Sequence, residues 1–155
     1  MEFRPLTAAD LALVASWLRQ PHVAEWWDGP IVLDPGVRQF LAVLEGEPIG
    51  YAQSYQAVAG HDEGWWLDVT DPGVHGIDLF LADATRLGQG LGTRMVRAFV
   101  AKLFAQPGVT RVQADPSPAN GRAIRCYEKA EFRRVREIDT PDGPALLMAI
   151  EAIPP

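Results

Sequence analysis

Apolar residues recur along this chain with two alternating periods, near 3.6 and near 2, and the switches between them mark out its elements. Leu11, Leu13, Val14, Trp17 and Leu18 repeat at helical spacing behind Thr7 and Asp10, a pair that resembles a capping box. A first helix is therefore expected after a short extended segment at Phe3 to Pro5, and it should end by Pro21. FLAVL (40–44) and IGYAQSY (49–55), joined by the turn EGEP, read as the two strands of a hairpin. After AGHDEG and TDPG comes GIDLFLA (76–82), nearly continuous in apolar residues as a buried strand would be. RLGQGLG follows it directly. Leu91, Met95, Val96, Phe99, Val100 and Leu103 then predict a helix from Leu91 to Phe104, stopped by Pro107-Gly108. VTRVQA is the next strand, 120–130 the next helix, and FRRVREI with ALLMAI a closing strand pair around TPDGP. The order β-α-β-β-β-α-β-α-β-β predicts a mixed α/β domain.

Composition narrows the picture. At 155 residues, 48% hydrophobic and 22% charged, the chain fits one compact domain over 1–155, and neither a linker nor a repeat divides it. MEFRPLTAAD lacks a basic stretch followed by an apolar run, and nothing approaches the ~18 to 20 apolar residues that span a bilayer, so a soluble, cytoplasmic protein without membrane contact is expected. Cys126 is the single cysteine, which excludes an internal disulfide or a multi-thiolate site; His22, His61 and His75 show no ligand spacing, so no metal is expected. With 20 acidic against 14 basic residues the net charge of −6 disfavours nucleic acid and suits a cationic partner, although a solubilising surface explains the same charge.

Gly88, Gly90 and Gly92 occupy every second position of RLGQGLGTR, between a strand and a helix. A Walker-type phosphate loop needs Lys-Ser or Lys-Thr after its last glycine, and Gly92 is followed by Thr93 and Arg94. A dinucleotide fingerprint needs G-x-G-x-x-G with an acid about 20 positions on, and these glycines run G-x-G-x-G. What survives is a strand end, a glycine turn and a helix start, which place the free N–H groups of Gln89 to Thr93 at the positive end of a helix dipole where a pyrophosphate would be held. A turn that only packs a strand close to a helix would read the same way.

Asn120-x-x-Ala123-x-x-x-Tyr127-x-x-x-x-Phe132, one strand after such a loop, resembles the coenzyme A site of the GNAT superfamily of N-acetyltransferases. EWW (25–27), GEPIGYAQSY (46–55), GWW (64–66), DPGVHGIDLFLA (71–82), LGQGLGT (87–93), DPSPAN (115–120), RAIRCYEKA (122–130) and TPDGPA (140–145) together resemble the aminoglycoside 6′-N-acetyltransferases over most of the chain. Three departures stand out. Leu87 occupies a position usually Arg or Gln, Glu131 replaces the usual Gly before Phe132, and the segment between Trp27 and Gly46 is shorter, removing residues that help cover the acceptor in that family.

The resemblance implies the GNAT acyl-CoA N-acyltransferase fold, a central twisted, mostly antiparallel sheet flanked by helices, in a monomer or homodimer. It implies acetyl-CoA as cosubstrate, held by Phe80, Leu81, Gln89, Gly90, Leu91, Gly92, Thr93, Asn120, Ala123 and Tyr127. It also implies a primary amine as acceptor, held at Asp78. Alternation places Asp78 opposite Ile77 and Leu79 and beside Phe80. There a carboxylate either serves the amine or bonds backbone at a strand irregularity. At an ordinary pKa near ~4 it is a weak base for an ammonium near ~9, and partial burial would strengthen it. Tyr127, two helical turns past Asn120 on the same face, is the candidate to protonate the departing thiolate, a buried core tyrosine being the alternative. A backbone N–H near Leu81 is the expected oxyanion donor.

Period two puts Tyr51, Gln53 and Tyr55 on one unusually polar face, Trp27 and Trp66 are placed to frame a sugar ring, and Glu63, Asp78 and Asp115 to meet its ammonium groups. Each tryptophan also suits a core, and Asp115 a turn cap in DPSP. An aminoglycoside acetylated at its 6′ amine is the expected acceptor. A lysine side chain, polyamine or siderophore precursor in the same site, or a drug- or acyl-CoA-binding module without turnover, are the alternatives; retention of Asp78 and Tyr127 argues against the last.

Overall fold

The computed structural model describes residues 1–153. Its strands are β1 (Glu2–Pro5), β2 (Arg38–Leu44), β3 (Glu47–Gln56), β4 (Val74–Leu81), β5 (Arg111–Ala114), β6 (Arg133–Thr140) and β7 (Gly143–Glu151). Its helices are α1 (Leu11–Leu18), α2 (Pro21–Ala24), α3 (Leu91–Phe104) and α4 (Gly121–Lys129). The expected order holds with two refinements. The Thr7/Asp10 pair opens a 3-10 turn over Ala8–Asp10, with the Asp10 carboxylate accepting the Thr7 N–H at 2.8 Å, and α1 begins only after it. Pro21 does more than stop α1: it starts the short α2, its fixed φ and missing N–H being harmless in a first helical turn.

One sheet runs β1-β2-β3-β4-β5-β7-β6, antiparallel throughout except between β4 and β5. The hairpin between β2 and β3 turns through Glu45 (φ 53°) and Gly46 (φ 81°), the two left-handed residues that match the twist of the flanking strands. The parallel pairing that matters most is short: Val74, His75 and Gly76 pair with Arg111, Val112 and Gln113. Beyond Gly76, β4 continues to Leu81 while β5 stops at Ala114 and the chain leaves through Asp115-Pro116. The sheet therefore opens between the second half of β4 and the start of the loop to α4.

Each face of the sheet has its own core. Ile77, Leu79 and Leu81 pack with the apolar stripe of α3 (Leu91, Met95, Val96, Phe99, Val100, Leu103) and with Ile124 and Tyr127 of α4. On the other face Phe80 packs with Tyr51, Leu41 and the α1–α2 residues Val14, Trp17 and Val23. The period-two reading of β4 is thus observed, and Asp78 shares the face of Phe80. Among the described residues no helix is long and apolar enough to cross a membrane.

Candidate active site

Register places three cross-strand pairs on the Asp78 face: Tyr51 beside Phe80, Gln53 beside Asp78 and Tyr55 beside Gly76. Tyr51 and Phe80 stack at 5.7 Å, and half-buried Trp27 meets both edge-on at 5.8 and 5.2 Å. The Tyr55 ring lies across Gly76, where a Cβ would sit 2.5 Å from its carbons, so only glycine accommodates it. Between these rings the Gln53 side-chain N–H donates to Asp78 Oδ2 at 3.0 Å.

Asp78 is half-buried, and that burial holds its carboxyl above the ordinary carboxylate range; the negative charge of Asp142 adds to the shift and the Gln53 hydrogen bond opposes it. Asp115 is pushed up to about 8, by burial first and then by Asp78 and Asp142. Three carboxylates from β4, the loop after β5 and the β6–β7 turn thus repel one another around one crevice. Burial favours the protonated form of each, and the Asp78 charge adds to it at Asp115, so the two titrate as a pair. Tyr55 and Tyr127 both feel Asp78 and Asp115, and burial raises both phenols well above the usual value, so both are neutral donors at pH 7.

Tyr127 is buried, its ring 5.2 Å from Phe132, yet its hydroxyl makes no protein hydrogen bond among the described residues. Asn120 caps α4: its side-chain oxygen accepts the Ala123 N–H at 3.2 Å, so the cap leaves the amide NH2 uncommitted. Leu91, Gly92 and Thr93 form the first turn of α3, whose N–H groups have no intrahelical partner. Gly88 (φ 77°) and Gly90 (φ 76°) present bare backbone, and a Cβ on either would meet nothing within 4 Å. The Gln89 side chain folds back to the Thr85 carbonyl at 3.0 Å, so this residue offers its backbone to the loop. Thr93 and Cys126, 3.7 Å apart, tie the start of α3 to the middle of α4.

The end of β4 turns one backbone N–H away from β3. The Phe80 carbonyl crowds Gly50 in β3, where a Cβ would lie 2.3 Å from it. In a planar trans peptide the Leu81 N–H must point the opposite way, into the opening. The Leu81 carbonyl, one peptide further on, is held by His22 Nε2 of α2 at 2.8 Å, which anchors the chain just past that N–H.

Not every expected residue converges on the crevice. Trp66 is buried (6% exposed) under Tyr55 with Ala57, Val74 and Leu147, so it supports the Tyr55 ring and offers no open face to a sugar. Its left-handed backbone (φ 54°) is steadied by His61 Nε2 bonding its carbonyl at 2.9 Å. Glu63 is the exposed last residue of the 3-10 segment Ala57–Glu63, away from the strand face that carries Asp78. Asp142, His22 and Gln39 are the residues the sequence reading passed over. Asp142 lies inside TPDGPA, so its signal was present without a role attached; His22 and Gln39 carry no local pattern.

The comparisons agree with this geometry. Residues 7–140 match the model described as acetyltransferase (GNAT) domain. The chain is 52% identical, over 94% of its own length and 80% of the relative's, to an aminoglycoside N(6')-acetyltransferase type 1 of Klebsiella pneumoniae. A kanamycin resistance protein of Rhizobium radiobacter is 62% identical over 54% of this chain and 78% of its own length. Among solved structures, an aminoglycoside acetyltransferase AAC(6')-Ib in complex with coenzyme A and kanamycin superposes with a TM-score of 0.90 at 50% identity, covering 96% of this chain and 93% of that one. The opening beside β4, the glycine turn into α3 and the Asn120–Tyr127 face of α4 are therefore those of a family member: this chain belongs to the GNAT superfamily of acetyltransferases.

Proposed function

We propose that this chain transfers the acetyl group of acetyl-CoA to a primary amine of an aminoglycoside, at the 6′ nitrogen, and so confers resistance. The observation that carries the reading is the placement of partly buried Asp78 and Asp115 where the sheet opens beside β4, close enough to each other and to Tyr127 for their charges to be felt there, with the exposed Asp142 of the β6–β7 turn at their edge. Two partly buried carboxylates beside an exposed third are costly to ionise together and complementary to a polycation. A monoamine uses one of them. The relatives named for 6′-acetylation of aminoglycosides support the same acceptor class.

When bound, the coenzyme supplies an activated acetyl thioester. Backbone N–H groups from Gln89 to Thr93, at the positive end of α3, would hold its pyrophosphate, and the Asn120 amide would donate to the pantetheine arm. Phe80 and Leu81 line the opening through their backbone, and Ala123 leaves room on the facing turn of α4. Asp78 orients the acceptor amine and accepts a proton as the nitrogen–carbon bond forms; its raised pKa makes it a stronger base than an ordinary carboxylate. The Leu81 N–H donates to the carbonyl oxygen as negative charge gathers there. Tyr127 donates to the sulfur, and its proton passes to the thiolate as the carbon–sulfur bond breaks. The amide and free thiol leave; Asp78 returns its proton to solvent and Tyr127 regains one. Tyr55 and Trp27 wall the acceptor side, with Asp115 and Asp142 facing the remaining ammonium groups.

Release of the coenzyme thiol, followed against aminoglycosides, polyamines and lysine peptides, tests this reading. Turnover confined to aminoglycosides is expected. Preferential turnover of a monoamine or peptide would overturn it.

A further inference from the structure

We infer that Gln39 and Tyr51 are positioning residues that fix which end of the Gln53 amide faces Asp78, and so tie that carboxylate to the loop over residues 28–37. The inference rests on the reading of Asp78 as the group that handles the acceptor amine.

Four side chains form a chain of hydrogen bonds with a single sense. Gln39 Oε1 accepts the Asp34 N–H at 3.0 Å, so the amide oxygen is identified by a backbone donor. Its Nε2 then donates to the Val32 carbonyl at 2.8 Å and to the Tyr51 hydroxyl at 3.1 Å. Having received that hydrogen, Tyr51 gives its own to Gln53 Oε1 at 2.8 Å. Gln53 is left with its NH2 toward Asp78 Oδ2 at 3.0 Å. Tyr51 is fully buried and stacked on Phe80, which pins the middle of the chain. The far end is equally defined: the Asp34 side chain accepts the Gly36 N–H at 2.8 Å, and its carbonyl accepts the Val37 N–H at 3.1 Å.

The orientation matters because an amide is polar at both ends. A reversed Gln53 would press its carbonyl oxygen against the Asp78 carboxylate and leave Tyr51 facing an NH2. The other titratable groups coupled to Asp78 are Tyr51 and Tyr55 from β3, Asp115 after β5, Tyr127 from α4 and Asp142 from the β6–β7 turn, and none is cationic. Among the described residues the Gln53 N–H is thus the group that favours the carboxylate against burial. Losing the correct orientation makes Asp78 harder to ionise, so the acidic limb of the kcat profile must move to higher pH.

The test is a pH profile of kcat for the wild type, Gln39→Glu, Tyr51→Phe, the double variant and Asp78→Asn, with thermal unfolding and KM for acetyl-CoA measured alongside. Gln39→Glu keeps the length of the side chain but replaces the NH2 donor with an acceptor, which draws the Tyr51 hydroxyl hydrogen away from Gln53. Gln39→Glu and Tyr51→Phe should each move the limb upward by about half to one pH unit, lowering kcat ~3- to 10-fold on the limb while KM for acetyl-CoA holds. In the double variant Gln39→Glu should add nothing to Tyr51→Phe, because the route runs through that hydroxyl. A Gln39→Glu shift that persists without the hydroxyl would be plain charge repulsion and would overturn the inference, as would folded single variants with the wild-type limb. Asp78→Asn separates the two readings: wild-type kcat and limb in that variant would refute the role of Asp78, whereas its inactivity beside an unmoved Tyr51→Phe limb would refute the relay alone.

Discussion

A polycation entering the acidic crevice should expel a proton from the Asp78–Asp115 pair. With Asp115 raised to about 8, the pair is ~90% protonated at pH 7. An ammonium about 4 Å from the carboxylate at an effective dielectric of about 20 contributes ~4 kcal/mol in favour of the ionised form. At ~1.4 kcal/mol per unit that lowers the pKa by ~3, to ~5, so ~0.9 proton should leave on binding at pH 7. At pH 9 the pair is already ~90% ionised and only ~0.1 remains to be released. The assay is calorimetric titration of kanamycin into the protein in buffers of different ionisation enthalpy, where the slope of observed enthalpy against buffer enthalpy counts protons. Amino groups of the drug exchange protons too, so the diagnostic quantity is wild type minus Asp115→Asn. A difference near one proton at pH 7 that vanishes by pH 9 is expected; equal proton linkage in the two proteins at pH 7 would refute the shared-proton argument.

Three further outcomes follow from the geometry. Gly90→Val places a branched side chain in the open space before α3 and on a left-handed backbone (φ 76°), so KM for acetyl-CoA should rise ~10-fold or more while KM for the acceptor changes little, checked by steady-state kinetics. Tyr127→Phe removes one hydroxyl at nearly constant volume; kcat should fall ~10- to 1,000-fold with the melting temperature retained, and an unchanged kcat with chemistry rate-limiting would return Tyr127 to the core. Glu131 sits at φ 75° just past α4, a conformation that favours glycine, so Glu131→Gly should stabilise the fold by ~1 kcal/mol in denaturant unfolding.

Local pattern and long-range placement were not equally legible in the sequence. Helix α3 occupies the span its apolar stripe predicts, Leu91–Phe104, because six buried residues at helical spacing admit one face. Period two put Asp78 on the face of Phe80 without further information. The family pattern marked Glu131 as out of place, and its left-handed φ is the physical reason a glycine is usual there. What the sequence withheld depends on folding distant segments together. Glu63 and Asp142 are both acids beside turns, and only the return of the β6–β7 turn to the crevice singles out the second. Trp27 and Trp66 look alike as letters, yet a buried core holds one and leaves the other half-exposed. The Gln39 to Asp78 chain spans three strands, so no window of sequence displays it.

The central claim is that the crevice delivers the 6′ amine of an aminoglycoside to the coenzyme thioester beside Asp78. It is tested most directly by locating the acetyl group, by two-dimensional NMR, in the product formed from kanamycin, with a parallel reaction on an analogue that carries a hydroxyl in place of the 6′ amine. A single acetyl group on the 6′ nitrogen, and no coenzyme thiol released with the hydroxyl analogue, is the predicted result. Acetylation at another nitrogen, or equal thiol release from both acceptors, would contradict it.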